Sequence, residues 1–532
     1  PIGFITCVCR CCLIYVVKMP SIPNSFFCYS RNYAGVCRMF LLFIKYKFVT
    51  IFFFRFTMIR FLYSLLFTFL FYSTYSQEKP NIIVIYTDDQ GYADIGANGQ
   101  VEDIKTPNID ALAKEGVRLT SGYTTAPQCI PSRAGLLTGR YQQRFGLDYN
   151  GLIPLPLDEV LISQRLQKQG YTTGMTGKWH LEPNHQSRKW ILENLPSLGV
   201  KKRYKASDIP FEKKIPYMSS NRGFDKTFQG YMKNYWATYT LDGQDLEAQW
   251  IKHEGYRLDV QTEAAVEFIK RNKEEPFFFY LSYFGPHVPL GATKKYMDRF
   301  PEDMPMRRRY CLAMMSAIDD GVGRVRETLK EIGELDNTII FFISDNGAPL
   351  KLHMKDSPGV GPGWDGSLNT PWIGEKGMIS EGGIRVPYII NWPAGLPKGQ
   401  VYDRPVSTLD VAATCLEVAG GKPSKDLDGV NLIPYLNSEK KEDPHEILFW
   451  RFWGQYAARV GNLKYLNAGD REYLFDVSTE RHEHENIIKK HPKTVKKIRE
   501  LLLKWDGELK NSGLKFGQLG NEKPWYEYYF TE

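Results

Sequence analysis

The 532-residue sequence predicts an α/β fold: a large, mainly parallel mixed sheet covered by helices on both faces, plus a small C-terminal α+β subdomain with an antiparallel sheet. Three observations predict it. Residues 81–86, 276–283 and 338–343 are continuous apolar runs, the pattern of strands buried on both faces. Segments of helical periodicity separate them, as crossover connections of a parallel sheet require. From about residue 440 the character changes to short, closely spaced strands at 447–452, 456–460, 463–466 and 473–476, then a basic helix over 493–504. The organisation read from this is a catalytic domain over 77–440 and a subdomain over 441–532.

The first 76 residues stand apart. They hold eight Lys/Arg and no Asp or Glu, which leaves 60 basic and 60 acidic residues over 77–532. The apparent basicity of +8 belongs to this leader, so nothing points to nucleic-acid binding. From Met58 the sequence reads as a secretory signal: Arg60, an apolar run from Phe61 to Tyr72, and small residues Thr74 and Ser76 before a cleavage site near Gln77. This predicts a secreted or periplasmic protein with no stable membrane partner. An uncleaved anchor is the alternative, since the uncharged stretch 61–77 is 17 residues long. Residues 1–57 carry six of the nine Cys and begin with Pro, which suggests upstream sequence translated in frame or, alternatively, a Cys-rich metal or disulfide segment. Only Cys129, Cys311 and Cys415 remain beyond it, so the fold depends on its core and not on disulfides.

Along the chain, strand 81–86 runs into Thr87-Asp88-Asp89-Gln90-Gly91. Strand neighbours point to opposite faces, so Asp88 and Asp89 converge only where the chain has left strand geometry; a solvated acidic turn is the plain alternative. A short helix over 106–115 and a strand from Val117 lead to 128–140, read as a loop-to-helix junction. Here Pro131 takes the first helical position, Cys129 sits just before the helix, and Arg133 lies one turn on along the same side. A nucleophile beside a cation and a helix N-terminus suits an oxyanion; the alternative is a buried Cys at an ordinary helix start. A helix over 159–169 precedes a strand over 171–180, in which Lys178 and His180 share one face and can reach a single anion. Residues 185–255, polar and weakly periodic, read as a long insertion over the sheet whose Tyr235, Trp236 and Tyr239 could stack on sugar rings or pack locally.

A helix over 258–272 and strand 276–283 lead to Gly285-Pro286-His287-Val288-Pro289. His287, held between prolines at a strand end, suits acid–base work or a structural role. A long helix over 307–331 contains a buried Cys311. Strand 338–343 ends in Ser344-Asp345-Asn346-Gly347, then a Gly- and Pro-rich loop passes Trp364 and Asp365, both read as substrate-binding. Lys376 and a strand through 381–391 follow, then a helix over 409–419. Ligands of such sheets bind beyond the carboxyl ends of the strands, and Asp88, Asp89, His287, Asp345 and Asn346 all fall there. Three carboxylates and an amide form an oxygen set for a hard ion, calcium or magnesium, whereas zinc recruits His or Cys.

The string Cys129-x-Pro131-Ser132-Arg133-x-x-Leu136-Leu137-Thr138-Gly139-Arg140 resembles the signature of the type I, formylglycine-dependent sulfatases of the alkaline phosphatase-like superfamily. Gly177-Lys178-Trp179-His180, the paired Asp88 and Asp89, Asp345-Asn346-Gly347, His287 and Lys376 extend the likeness over most of residues 80–480. The resemblance implies one Ca2+ held by Asp88, Asp89, Asp345, Asn346 and Cys129, the last converted to formylglycine (3-oxoalanine). It implies that Arg133, Lys178 and Lys376 neutralise the sulfate, that His287 protonates the leaving alcohol and that His180 deprotonates the second hydroxyl of the hydrate. The partners it implies are a sulfated carbohydrate and a formylglycine-generating or anaerobic sulfatase-maturating enzyme. An algal polymer such as ulvan or carrageenan is the favoured substrate, a glycosaminoglycan another. The rival readings are a phosphodiesterase or phosphonate monoester hydrolase and a non-catalytic carbohydrate-binding protein with a relic site.

Overall fold

Every residue of β1 (Asn81–Asp88) is buried, and its side chains divide by parity. Ile82, Val84 and Tyr86 enter one core while Ile83 and Ile85 enter another, on the opposite face of the sheet. This is why the run is apolar without alternation. The computed structural model describes residues 79–230, 232–351, 364–513, 518–520 and 522–530, together with an antiparallel pair, Phe4–Cys9 and Cys12–Val17. The expected signal segment 58–76 lies outside the described residues, as does the rest of the leader.

Around β1 a ten-stranded sheet forms from β2 (Val117–Leu119), β3 (Thr172–Gly177), β4 (Lys226–Gly230), β5 (Asn234–Tyr239), β6 (Asp245–Lys252), β7 (Phe277–Pro286), β8 (Thr338–Ser344), β9 (Tyr388–Asn391) and β10 (Gln400–Tyr402), in the order β10-β2-β9-β8-β1-β7-β3-β4-β5-β6. The run β8-β1-β7-β3-β4 is parallel, so the carboxyl ends of these five strands lie along one edge. Helices α1 (Pro107–Lys114), α3 (Arg257–Arg271) and α4 (Met306–Glu331) bury Ile109, Phe268 and Ile318 against one face. Helices α2 (Cys129–Thr138) and α5 (Asp410–Val418) bury Leu136 and Val411 against the other.

The antiparallel C-terminal sheet has strands β11 (Leu448–Phe452), β12 (Gln455–Val460), β13 (Leu463–Ala468) and β14 (Arg471–Asp476). Tyr456, Ala458 and Tyr465 pack under α6 (Pro492–Gly507), while Ala457 and Leu466 face Tyr123, Met378 and Ile384 of the large unit. Among the described residues no helix is long and apolar enough to cross a membrane.

Four local expectations change. The insertion is no loop over the sheet, because β4, β5 and β6 inside it extend the sheet at one edge. The helix expected over 159–169 is only Ile162–Gln167. The segment Glu381–Ile384 is a helical turn and not a strand. Cys129 is itself the first residue of α2, with Gln128 in extended geometry before it; Pro131 falls third, where its missing N–H still costs no helical bond.

Candidate active site

Asp88 closes β1, and Asp89 turns into the left-handed region at φ 62°. That reversal brings two adjacent carboxylates to one point, and it falls on Asp89 itself, before Gly91. The strain is offset by fixed bonds: the Asp89 N–H donates to Asp345 Oδ1 at 3.0 Å, and its Oδ1 accepts from Asn346 Nδ2 at 2.8 Å. His180 has the same rare geometry at φ 63°. It lies beyond β3, so Lys178 and His180 reach a common cavity through a kink and not along an extended face.

The two lysines bracket the carboxylates. Lys178 Nζ donates to both oxygens of Asp88 at 2.8 and 2.7 Å. Lys376 Nζ donates to both oxygens of Asp89 at 2.5 and 2.7 Å and lies 3.3 Å from Cys129 Sγ. That sulfur is also 3.5 Å from Asp88 Oδ1 and 3.8 Å from Asp89 Oδ1. His287 Nδ1 contacts the Val288 carbonyl, which can only accept, so Nδ1 carries the hydrogen. Its Nε2 is thereby free to exchange a proton, 3.5 Å from Asp89 Oδ2. Cys129, Lys178, His180, His287 and Lys376 line one cavity of about 650 Å3.

Arg133 is placed differently from expectation. It is fully buried, and its guanidinium donates to Asp345 Oδ2 at 2.8 Å, to Ser282 Oγ at 2.5 Å and to the Lys178 carbonyl at 3.2 Å. It stands behind the carboxylates and does not line the cavity. Trp364 and Asp365 do not line it either: Trp364 packs with Ala348 and Leu350, and Asp365, whose Oδ1 accepts the Ser367 N–H at 3.0 Å, is buried within electrostatic reach of Asp89 and Lys376. Their burial in that loop, not contact with the cavity, explains their position.

Burial opposes every charge in the cluster, and the two lysine–aspartate pairs outweigh it. Asp88 and Asp89 lie below the usual carboxylate range, against burial, chiefly through Lys178 and Lys376 respectively. Lys178 and Lys376 lie above theirs, against burial, through Asp88 and Asp89. Asp345 is pushed up by burial and then by Asp88. Burial lowers both His180, reinforced by Lys178, and His287, where it outweighs Asp88. Burial also pushes the Cys129 thiol well up, against the pull of Lys178 and Lys376.

Ligand atoms of Asp88, Asp89, Cys129 and His287 lie within 4.8 Å of one another, a spacing that can hold a metal ion. Asn346 Oδ1, beside them, is buried with no hydrogen-bond partner among the described residues. That orphaned oxygen fits a cation, since a buried acceptor without a donor is otherwise costly. Asp345, expected as a ligand, is engaged by Arg133 and the Asp89 N–H.

The family model for sulfatases matches residues 80–421. The chain belongs to the sulfatase family. A second model, for the C-terminal part of N-sulphoglucosamine sulphohydrolase, matches residues 372–507. An uncharacterized sulfatase of Escherichia coli (strain K12), YdeN, is 33% identical over 414 residues, 71% of this chain and 69% of that protein. Human N-acetylgalactosamine-6-sulfatase is 30% identical over 404 residues, 73% and 71% of the two chains. Among solved structures, Ps i-CgsB in complex with k-i-k-neocarrahexaose is 29% identical, with a TM-score of 0.67 over 85% of this chain and 98% of that one. This sulfatase is therefore a sulfuric ester hydrolase built on the sheet predicted from its sequence.

Sequence reasoning missed one wall of the sulfatase's cavity. Tyr235, Trp236 and Tyr239 are buried, whereas Trp250 on β6 is 50% exposed and lines the cavity. Its ring is held against Trp236 and Phe211, with centroids 5.7 Å away in each case. The signal available was the position of Trp250 in a polar, edge-like stretch, where an aromatic has no core to fill.

Proposed function

We propose that this sulfatase is a secreted, calcium-dependent enzyme acting on a sulfated polysaccharide or its oligosaccharides, with a nucleophile that is formylglycine made from Cys129. The observation that carries it is the position of Cys129: at the start of α2, 3.3 Å from Lys376 Nζ and beside Asp88 and Asp89, in a cavity shared with Lys178, His180 and His287. Burial keeps an unmodified thiol there protonated and weakly nucleophilic. A formylglycine hydrate supplies instead a hydroxyl to attack sulfur and a second one whose loss of a proton releases sulfate. Its making requires a formylglycine-generating or anaerobic sulfatase-maturating enzyme as partner. Secretion rests on the signal-like segment ending near Ser76.

Asp88, Asp89 and Asn346 would hold the ion through oxygen, joined by Asp345 through the lone pairs left beside its bonds to Arg133 and the Asp89 N–H, the hard set that calcium favours. Calcium held by these residues would supply positive charge to the sulfate and the nucleophile. Lys178 and Lys376 hold the remaining sulfate oxygens and orient sulfur towards residue 129. Arg133 acts from behind, fixing Asp345 and Asp88. His287, once its ring is protonated at Nε2 as well as Nδ1, gives the Nε2 proton to the leaving alcohol, and His180, kept neutral by burial and by Lys178, takes one from the second hydroxyl.

Trp250 supports a carbohydrate, because an exposed indole at a cavity mouth offers a flat apolar face to a sugar ring. Likeness to a protein solved with k-i-k-neocarrahexaose supports an algal polymer of the carrageenan type, while likeness to N-acetylgalactosamine-6-sulfatase keeps a glycosaminoglycan as the second reading. The test is turnover of aryl sulfate, aryl phosphodiester and a panel of defined sulfated oligosaccharides, before and after chelation. The reading requires sulfate release from an algal oligosaccharide, lost on chelation and restored by calcium. A preference for the phosphodiester would sink it in favour of a phosphodiesterase or phosphonate monoester hydrolase.

A further inference from the structure

Beside the cavity that holds Cys129 lies a second one of about 1040 Å3. Asn150, His185 and Gln186 line both, so the two adjoin at that ridge. The ridge is fastened to the nucleophile's own helix: Asn150 Oδ1 accepts the Ile130 N–H at 3.0 Å, and the Asn150 N–H donates to Gln128 Oε1 at 2.9 Å. On its far side the Arg188 N–H donates to the Gly151 carbonyl at 3.3 Å.

The second cavity is basic. Arg188, Lys189, Lys202 and Arg203 line it against Glu193 alone. Arg188 is occupied in holding the wall together. Its guanidinium donates to the carbonyls of Lys201 at 3.0 Å and Lys202 at 3.1 Å, which folds segment 201–204 against the helix Arg188–Asn194. That fold presents the side chains of Lys189, Lys202 and Arg203 to the cavity. Lys201 next to them is paired with Asp208 at 3.4 Å, whereas Lys189, Lys202 and Arg203 hold no ion pair among the described residues. In a chain that is neutral over 77–532, these three exposed cations make a local positive field suited to attract an anion.

We propose that this cavity is a subsite for a second sulfate group of the substrate, so that the enzyme selects oligosaccharides sulfated on more than one sugar. The inference rests on the carbohydrate-sulfatase reading above and adds to it a determinant of substrate choice. One sulfate is cleaved beside Cys129 while another, further along the chain, is held uncleaved by Lys189, Lys202 and Arg203. The catalytic cavity alone accepts a small aryl sulfate, which has no second anion to place.

The test is the triple variant Lys189→Gln, Lys202→Gln, Arg203→Gln, compared with wild type on aryl sulfate and on matched oligosaccharides carrying one or two sulfates. The second sulfate should lose about tenfold in kcat/KM, through KM and with a flatter salt dependence, as the loss of exposed ion pairs implies. Aryl sulfate and the monosulfated chain should be unaffected. Equal loss on all substrates, or none on any, overturns the proposal. Binding of the disulfated oligosaccharide to Cys129→Ala enzyme, with and without the triple change, separates the two readings. Absent turnover by wild type sinks the proposed function alone, whereas unchanged binding in the triple variant sinks the subsite.

Discussion

Lys376 Nζ lies 3.3 Å from Cys129 Sγ while donating to both oxygens of Asp89. One cation thus serves the nucleophile position and a carboxylate of the metal cluster. Lys376→Ala should lower kcat/KM for aryl sulfate by about 10²–10³-fold, the usual cost of a lost charge-stabilising donor. Steady-state kinetics on folded enzyme check this, and near-wild-type turnover would remove Lys376 from the catalytic set.

The residue after it has an equally narrow tolerance. Gly377 has φ 97°, and a Cβ there would lie 2.5 Å from Trp525 Cζ3 on α7 (Lys523–Tyr529). Gly377→Ala should therefore cost about 1–3 kcal/mol of stability and displace Lys376, with activity falling further than the melting temperature suggests. Adding Trp525→Ala should recover the steric part and leave the backbone part. Thermal melts and kinetics of the single and double variants measure both.

The C-terminal sheet is tied to the same loop by buried charge. Lys464 Nζ on β13 is 2.9 Å from Glu381 Oε1 and 2.9 Å from Glu483 Oε1, and all three side chains are fully buried. Lys464→Met would strand two carboxylates and should destabilise the protein by about 3–5 kcal/mol. Denaturant unfolding would show it; a change below about 1 kcal/mol would mean that Arg385 and Tyr123, which also bond Glu381, suffice.

His445 gives a pH signature away from the active site. Its Nε2 lies 2.8 and 3.0 Å from the Asp410 oxygens, and Asp410 raises its pKa against burial. A folded pKa above the ordinary value of about 6.5 means that folding favours the protonated ring. The pair's contribution is full below that ordinary value and is lost as pH rises through the raised folded one. The stability difference between wild type and His445→Gln should shrink over that window. A difference that does not vary with pH would contradict it.

The parallel sheet was legible because β1, β7 and β8 are buried on both faces, and a two-sided core leaves a one-dimensional trace. Strands β4 to β6 were not, since β6 is largely exposed and its pattern reflects an edge. Most chemistry-bearing residues were legible as motifs at strand ends. The side Arg133 faces was not, because a sequence shows that it is near Cys129 but not which neighbour it pairs with. Trp364 and Asp365 are ambiguous in sequence for the same reason: loop residues rich in hydrogen-bonding groups can serve a ligand or their own turn. Trp250 escaped notice because its value lies in exposure, which only the fold assigns.

If residue 129 acts as formylglycine, mass spectrometry of the active enzyme reads the conversion from a single peptide. The peptide that contains residue 129 should weigh about 18 Da less than its encoded mass, as conversion of a Cys side chain to an aldehyde requires. Fully active enzyme carrying an unmodified Cys129 thiol would contradict the mechanism.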